Sequence, residues 1–443
     1  MEGLPLAIEL AAAATRYYSC AQIAGRIEER RQVLVSAASD VAERQRSITA
    51  TFAYSWDLLV KEEQHIFAGL SVFRGGFDEE AAQAVTEATA QQLWSLADKS
   101  LLRRVGEGRY DMHTLLRQFA AEKRHTLDGR EASKRRHLAY YVELAEAGER
   151  ALRGGEELQW LERLEVERPN FNAALTWGLG NAIEEAARLA SANWLFWFMH
   201  THLEEGQQWY ERILRHKDVS LSPRLRARAL NGAASMALAR SSYDTLQSAA
   251  TEGLRLMQQL GDEEGISLAF HHLSGAAQLK GDNAKAIQLR EEGLQISRAA
   301  GDRWLTSIHL QSMAIDKHAM GLLEEAEVLL QEHNALAEEC GRQWSRLYGQ
   351  YMLAEIKLSR GQALEAGELF LEALPLVRKL RDRRLLSWAM YGLGRCAFEE
   401  GRLAQADGYL EESLRLEEQL GRKEGIRDIL LLRSDIAARQ GNG

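Results

Sequence analysis

Proline and cysteine are scarce in this chain, and long apolar runs are missing. Only 4 prolines and 3 cysteines occur among the 443 residues, whereas Ala, Leu, Glu, Arg and Gln are abundant. Many good helix formers with few helix breakers favour an all-α fold of two or three domains. Cys20, Cys340 and Cys396 show no paired spacing, which argues against a disulfide framework and against a cysteine metal site.

Other absences narrow the function. No apolar run approaches the roughly 18 residues of a membrane span, and the N-terminus lacks the basic start of a signal peptide, so we expect a cytoplasmic protein without a membrane partner. The net charge of −9 argues against a general nucleic-acid coat. No nucleophile–base pair, carboxylate dyad or metal cluster stands out. The sequence therefore predicts no enzyme, no catalytic residue and no metal ligand.

A 40-residue period organises the second half of the chain, from Gly261 to Gly421. One column of the period has Gly261, Gly301, Gly341 and Gly421, a second has Gly281, Gly321, Gly361 and Gly401, and a third has Ala286, Ala326, Ala366 and Ala406. Apolar residues between the glycines recur at three- and four-residue spacing, which predicts one helix in each half-period. Glycine can end each helix in the left-handed conformation, and Asp262 and Asp282 can cap the next helix. The pattern predicts antiparallel helix pairs stacked into a right-handed α-solenoid.

The first half of the chain has shorter elements. Helical patterns cover residues 48–59, 62–73, 79–88 and 91–99. Residues 101–105 and 109–112 then alternate with a period of two around Gly106-Glu107-Gly108, which predicts a β-hairpin. Another helix is expected over 114–124. Helices that end in a hairpin predict a small winged-helix domain, and we expect no other β structure.

The periodic half resembles the tetratricopeptide repeat family. Leu273, Gly281, Ala286 and Leu294 fit its pattern, although the family period is about 34 residues. Residues 221–260 form a further repeat that departs from the pattern, because Leu246 stands at the position that is alanine in the third column. Residues 421–439 are expected to form a closing helix.

The whole chain resembles bacterial STAND proteins, which are signal-transduction ATPases with numerous domains. The resemblance rests on five short motifs in the family's order: Gly3-Leu4-Pro5-Leu6-Ala7, Leu70-Ser71-Val72-Phe73 with Gly75-Gly76-Phe77, Asp98-Lys99-Ser100-Leu101, Tyr110-Asp111-Met112-His113, and a line from Trp160 to Trp177. It implies four regions: a remnant of the nucleotide-binding module at 1–45, a winged helix at 46–130, a helical linker with degenerate repeats at 131–220, and repeats at 221–443.

The resemblance also implies a switch, in which repeats sense a ligand and an ATPase core responds. No Gly-x-x-x-x-Gly-Lys-Ser/Thr loop occurs in this sequence, so we expect no cofactor here and regard the chain as the sensor part of a longer protein or as a product that has lost the core. Pro5 and His113 match family positions that contact ATP or ADP. That role is expected only in a full-length parent. Alternatively, Pro5 begins a helix and His113 caps one.

We expect a protein, peptide or small-molecule partner in the groove lined by the first helix of each pair. Aromatic, amide and charged side chains at groove positions suit such recognition. The predicted partner-binding residues are Arg228, Asn231, His271, Gln278, Gln311, His318, Tyr351, Glu355, Tyr391 and Arg395.

Two alternatives stay open. One is a transcriptional regulator that binds DNA through the winged helix. Against it, the helix at 91–99 offers Lys99 beside Asp98, and Leu93, Trp94 and Leu96 favour a packing role. The other is a passive protein-interaction scaffold that has no ligand and no switch. Separately, the exposed ends of the repeats permit self-association. The basic run Lys134-Arg135-Arg136-His137 is interpreted as a solvated face, and the aromatic cluster from Trp194 to Tyr210 as packed core.

Overall fold

The structure is a computed structural model, and it describes residues 19–22, 52, 55–106, 108–127, 131–216, 221–380 and 382–441. The described residues divide into two compact units. The first contains residues up to Leu144 together with Val166–Glu185, and the second contains Ala145–Glu165 and Ala186 onward. The boundaries fall inside helices, so three helices contribute residues to both units. Pro5 and most of the predicted region 1–45 lie outside the described residues.

The first unit has short helices and a small sheet. Its elements in chain order are α1 (Lys61–Leu70), β1 (Phe77–Asp78), α2 (Glu79–Thr86), α3 (Ala90–Asp98), β2 (Arg103–Arg104), β3 (Arg109–Asp111) and α4 (Thr114–Thr126). The sheet is antiparallel with the order β1-β3-β2, and Phe77 pairs with Tyr110 while Arg104 pairs with Tyr110 from the other side. The predicted hairpin is therefore confirmed. The third strand, β1, was not predicted, because two residues are too short to show a period.

A polar anchor fixes the Gly75-Gly76 turn in the first unit. Both glycines have positive φ angles, of 78° and 84°. Asn170 accepts a hydrogen bond from the Arg74 N–H at 2.6 Å and donates one to the Gly76 carbonyl at 2.9 Å. Glu167 accepts hydrogen bonds from Arg109 at 2.5 Å and from Tyr141 at 2.7 Å. These bonds connect Glu167 and Asn170, two residues of the motif from Trp160 to Trp177, with the Gly-Gly turn, the hairpin and Tyr141.

Five helices lie between α4 and the repeats. They are α5 (Ala132–Leu152), α6 (Glu157–Asn181), α7 (Ile183–Ala192), α8 (Trp194–Met199) and α9 (Leu203–Leu214). Residues 145–165, which form the end of α5, the turn after it and the start of α6, belong to the second unit. The predicted aromatic core is confirmed, because Phe196, Trp197 and Tyr210 have no exposed surface.

The repeats are helix pairs, in which we call the first helix A and the second B. The A helices are α10 (Pro223–Ala239), α12 (Glu263–Leu279), α14 (Arg303–Ala319), α16 (Gln343–Ser359) and α18 (Arg383–Glu399). The B helices are α11 (Tyr243–Leu260), α13 (Asn283–Ala299), α15 (Leu323–Glu339), α17 (Ala363–Leu380) and α19 (Leu403–Leu420), and α20 (Lys423–Gly441) closes the stack. Successive helices pack on each other, and neighbouring A helices also touch.

The three residue columns have the predicted structural roles. All eight glycines in the two glycine columns have positive φ angles between 65° and 78°. Ala286, Ala326, Ala366 and Ala406 are completely buried where helices cross. The carboxylates of Asp262 and Asp282 accept hydrogen bonds from N–H groups in the first turn of the next helix. The all-α fold with a 40-residue solenoid period is confirmed.

Candidate functional site

The candidate site lies in the second unit, on the first two A helices. Arg228 and Asn231 on α10, both predicted as groove residues, line a cavity of about 330 Å³. Residues 262–268 at the start of α12 line another wall. Glu149 and Arg150 at the end of α5, with Arg153 just after it, line the side that faces them. Residues 149–153 therefore partly close the groove of the repeats. The sequence analysis did not predict that this segment contacts the groove.

Glu149 is the central charged residue of the cavity wall. Its side chain is mostly buried and accepts hydrogen bonds from Arg228 at 2.8 Å, Arg153 at 3.0 Å and the Trp194 indole at 3.0 Å. Arg153 also donates to Glu264 at 2.6 Å, and its guanidinium lies 4.6 Å from the centre of the Trp304 ring. These contacts hold α5 against α10, α12 and α14.

Three buried polar atoms of cavity-lining residues lack a hydrogen-bond partner among the described residues, and one of them is Arg153 Nε. The other two are Asn231 Oδ1 and Ser191 Oγ, and their residues are 5% and 2% exposed. The amide nitrogen of Asn231 does have a partner, because it donates to the Gly265 carbonyl at 3.5 Å. Buried polar atoms are nearly always hydrogen-bonded. Asn231 Oδ1 and Ser191 Oγ therefore give the cavity unused hydrogen-bonding capacity.

The turn between α5 and α6 extends further along the groove. Glu157, at the start of α6, accepts a hydrogen bond from the Trp344 N–H at 2.8 Å and lies 3.7 Å from Arg342. Burial raises the pKa of Glu157 to about 7, although the Trp344 N–H and Arg342 act in the opposite direction. Residues 145–165 thus contact four successive A helices, α10 to α16.

The other predicted groove residues are not gathered in one cavity. Gln278 on α12 accepts a hydrogen bond from Arg290, while His318 on α14 bonds with Ser359 on α16. His271 lies 5.9 Å from the His309 ring, and Gln311 bonds with Tyr348. These four side chains are partly buried along two A helices, α12 and α14.

The predicted groove residues of α16 and α18 include one in the core. Tyr351 has no exposed surface, because its ring packs against Phe370 and Trp388. It offers no surface for direct contact with a partner, in contrast to the prediction. Glu355 pairs with Arg395 at 2.5 Å, and Arg395 lies 5.9 Å from the partly buried Tyr391 ring.

The predicted nucleotide contacts belong to the first unit or lie outside the described residues. His113 is the N-cap of α4, and its Nδ1 accepts a hydrogen bond from the Leu115 N–H at 3.3 Å. Capping is the alternative role that the sequence analysis gives to this histidine, and a nucleotide contact in a longer parent stays a prediction. In the described part of the chain, no helix is both long and apolar enough to cross a membrane.

Curated relatives of this chain occur in mycobacteria. Proteins of Mycobacterium tuberculosis and Mycobacterium bovis, provisionally named HTH-type transcriptional regulators, are 30% identical to it over 389 residues, which cover 83% of this chain and 43% of each relative. An uncharacterised M. tuberculosis protein is 31% identical over 167 residues, which cover 34% of this chain and 42% of that protein. The chain therefore spans less than half the length of the curated relatives it matches.

Two solved structures are among those similar to the chain. A STAND protein with a tetratricopeptide repeat sensor from Pyrococcus horikoshii has a TM-score of 0.48 at 15% identity, over 99% of this chain and 70% of that one. A Rap protein complexed with Competence and Sporulation Factor has a TM-score of 0.49 at 13% identity, over 88% of this chain and 99% of that one.

The tetratricopeptide repeat family matches residues 346–419, which carry most of the four helices α16 to α19. These four helices therefore match the tetratricopeptide repeat, and the helix pairs before them show the same alternation of A and B helices.

Proposed function

We propose that this chain is the sensor part of a STAND-type regulator and that its repeats bind a protein, peptide or small-molecule ligand at the A helices. The ligand signal would pass to an ATPase switch outside these residues. The order of the five sequence motifs supports this proposal, and so does the regulator name of the mycobacterial relatives, which are more than twice as long as the matched region.

The cavity between α5, α10 and α12 is the observation that carries the proposal. Its volume of about 330 Å³ is at the lower end of the range for small-molecule sites. A buried acceptor without a donor costs about 1–3 kcal/mol. A ligand N–H or O–H group at Asn231 Oδ1 would remove that cost, so the cavity favours a ligand with a hydrogen-bond donor.

The arginines of the cavity indicate a second property of the ligand. Arg153 and Arg228 are ion-paired with Glu149, and the Asp262 carboxylate caps α12. Arg150 and Arg224 also line the cavity, and neither has an ion-pair partner among the described residues. Arginine binds carboxylates and phosphates strongly. We therefore expect a ligand that combines an acidic group with an N–H donor, as the end of an acidic peptide does.

The proposed signal is a change in residues 145–165. A ligand in the cavity would contact Glu149, Arg150 and Arg153 as well as two A helices. It can shift the position of this segment only if it binds one arrangement more tightly than another. Because the same segment reaches Trp344, a change at the cavity would be transmitted along four A helices.

The first test is a titration of the full chain with synthetic acidic tripeptides, in which isothermal calorimetry measures binding. Arg224→Gln should weaken binding of any peptide that binds by about tenfold or more, since a charge-assisted hydrogen bond contributes about 1.5–3 kcal/mol. Arg255→Gln, at an exposed position of α11, is the matched control and should bind like the wild type. Equal affinities in both variants, or no peptide binding at all, would contradict the cavity assignment and favour the passive scaffold.

DNA binding through the predicted winged helix is the second candidate, because the mycobacterial relatives are named HTH-type regulators. Two arginines of the hairpin are already paired, Arg103 with Asp111 at 2.6 Å and Arg109 with Glu167 at 2.5 Å. Lys99 is paired with Glu63 at 2.6 Å. Fluorescence anisotropy of the full chain with duplex DNA at several salt concentrations tests this candidate. Affinity that falls steeply with salt would support it.

A further inference from the structure

Two histidines and one glutamate meet where α8 ends in the second unit. Glu165 Oε2 lies 2.6 Å from His202 Nε2 and 3.4 Å from His200 Nδ1. All three donor atoms lie within 4.8 Å of one another. The sequence predicts no metal site here, because the glutamate is 35 residues before the nearer histidine.

The fold holds both histidines on the same side of a sharp turn. Thr201 between them has a φ angle of 61°, which is rare for a β-branched residue, and the His202 N–H donates to the Trp197 carbonyl at 2.9 Å. The ring of Phe196, which is completely buried, lies 5.4 Å from the His200 ring and 5.5 Å from the His202 ring. The turn at Thr201 and the buried Phe196 ring therefore direct the two imidazoles towards Glu165.

We propose that Glu165, His200 and His202 form a binding site for a transition-metal ion such as Zn²⁺. Zinc binds histidine nitrogen and carboxylate oxygen at about 2.0–2.2 Å, so tetrahedral donors lie roughly 3.3–3.5 Å apart. The His200–Glu165 distance already matches that separation. The shorter His202–Glu165 contact is a hydrogen bond, and it lengthens when the metal replaces the shared proton.

The donor set defines the class of ion. Two imidazoles and one carboxylate suit Zn²⁺, Ni²⁺, Co²⁺ or Cu²⁺, whereas Mg²⁺ and Ca²⁺ prefer oxygen donors. Three protein donors leave a fourth position for water or for a group of another molecule. The three residues are each partly exposed, so an ion can reach them from solvent.

A bound ion would connect two parts of the second unit. Glu165 is the last residue of the segment 145–165, and the histidines flank the turn from α8 to α9. The ion would therefore fix one end of the segment that also contacts α10 to α16. This inference does not depend on the proposed ligand cavity, because neither Glu165 nor the two histidines line it.

The test is calorimetric titration of the chelator-treated full chain with Zn²⁺ at neutral pH. We expect one equivalent to bind and to raise the melting temperature, because a ligand of the folded state stabilises it. His200→Ala/His202→Ala should lose this equivalent, and Glu165→Gln should weaken binding by at least tenfold. His65→Ala/His125→Ala removes two exposed histidines elsewhere and should bind like the wild type.

The absorption spectrum of bound Co²⁺ distinguishes binding at Glu165, His200 and His202 from nonspecific binding elsewhere on the surface. Co²⁺ bound by two imidazoles and one carboxylate should give a four- or five-coordinate spectrum that the His200→Ala/His202→Ala variant lacks. The proposal is overturned if this variant, folded by circular dichroism, binds Zn²⁺ as the wild type does. It is also overturned if the wild type binds none.

Discussion

Gly293 on α13 shows how a single missing side chain lets two repeats pack. A Cβ at this residue would overlap the Cε1 atom of His309 on the next A helix. The His309 ring is completely buried, and its Nε2 forms a 2.9 Å hydrogen bond with Ser267 Oγ. Ser267 Oγ in turn donates to the Gly293 carbonyl at 3.0 Å. The ring therefore has no space to move without losing a buried hydrogen bond.

Gly293→Ala should lower the free energy of unfolding by about 1–3 kcal/mol, the usual cost of overpacking a core. The higher helix propensity of alanine stabilises the helix by about 1 kcal/mol. A net loss of stability would therefore show that the clash with the His309 ring outweighs the gain in helix propensity. Urea denaturation measures the difference.

Gly408→Ala is the matched control, because Gly408 lies in α19 and an added Cβ there would have no neighbour within 4 Å. It should stabilise the chain by up to about 1 kcal/mol. Equal effects of the two substitutions would show that Gly293 is not constrained by His309.

At the scale of elements, a buried ion pair connects consecutive repeats. Arg290 on α13 lies 3.0 Å from Asp316 on α14, and both side chains are 4% exposed. Arg290 also donates to Gln278 on α12 at 3.0 Å. Burial lowers the pKa of Arg290 and raises that of Asp316, while each partner opposes the shift of the other. One arginine thus joins three helices.

Asp316→Ala should destabilise the chain by about 3–5 kcal/mol, because it leaves the buried Arg290 charge without its partner. The double variant Arg290→Met/Asp316→Leu should recover most of this loss, since it removes both charges. A double-mutant cycle from urea denaturation measures the coupling.

The control is Glu332→Ala, which removes an exposed partner of Arg298. It should cost no more than about 1 kcal/mol. A cost for Asp316→Ala that is as small as for Glu332→Ala would show that the buried pair does not connect the repeats.

The helices of the repeats could be predicted because their signals are local. Each glycine sets a left-handed end and each small residue marks a crossing, so the helix predicted between Gly261 and Gly281 is observed as α12. The hairpin at 103–111 was found for the same reason, since two glycines separate two alternating segments. Local patterns therefore sufficed for the fold class and the period.

The candidate site could be predicted only in part, because burial depends on neighbours that are distant in sequence. Arg228 and Asn231 were found from their position on an A helix, whereas Tyr351 at a similar position is in the core. His137, expected on a solvated face, is buried against Phe73 and Tyr141. Trp94, expected in the core, is 49% exposed and lies beneath Arg104.

At the scale of the whole molecule, buried histidines make stability depend on pH. Burial lowers the pKa of His272 to about 3 and of His309 to about 4. In both rings Nε2 bonds to a serine hydroxyl that itself donates to a carbonyl, so Nε2 carries the proton. Nδ1 of each has no hydrogen-bond partner among the described residues. A second proton on Nδ1 would be buried without an acceptor.

The direction of the pH effect follows from these pKa values. An unfolded histidine has a pKa near 6.5, so below that pH the unfolded chain binds more protons than the folded chain. The stability that these two neutral histidines contribute is therefore fully present above about pH 6.5, and it is lost as the pH falls towards their folded-state pKa values. The loss for each buried histidine is on the order of 2 kcal/mol at pH 5, because one unit of pKa shift corresponds to about 1.4 kcal/mol.

His272→Gln should reduce this pH dependence. The variant is expected to be less stable than the wild type at pH 7.5, since glutamine fits the buried site less well, and the difference should narrow by about 2 kcal/mol at pH 5. Urea denaturation of both proteins at the two pH values measures the change, and protonation of the carboxylates affects both proteins alike. His125→Gln, at an exposed position of α4, should leave the pH dependence unchanged. If His272→Gln behaves like His125→Gln, the buried imidazole does not set the acid sensitivity of the repeats.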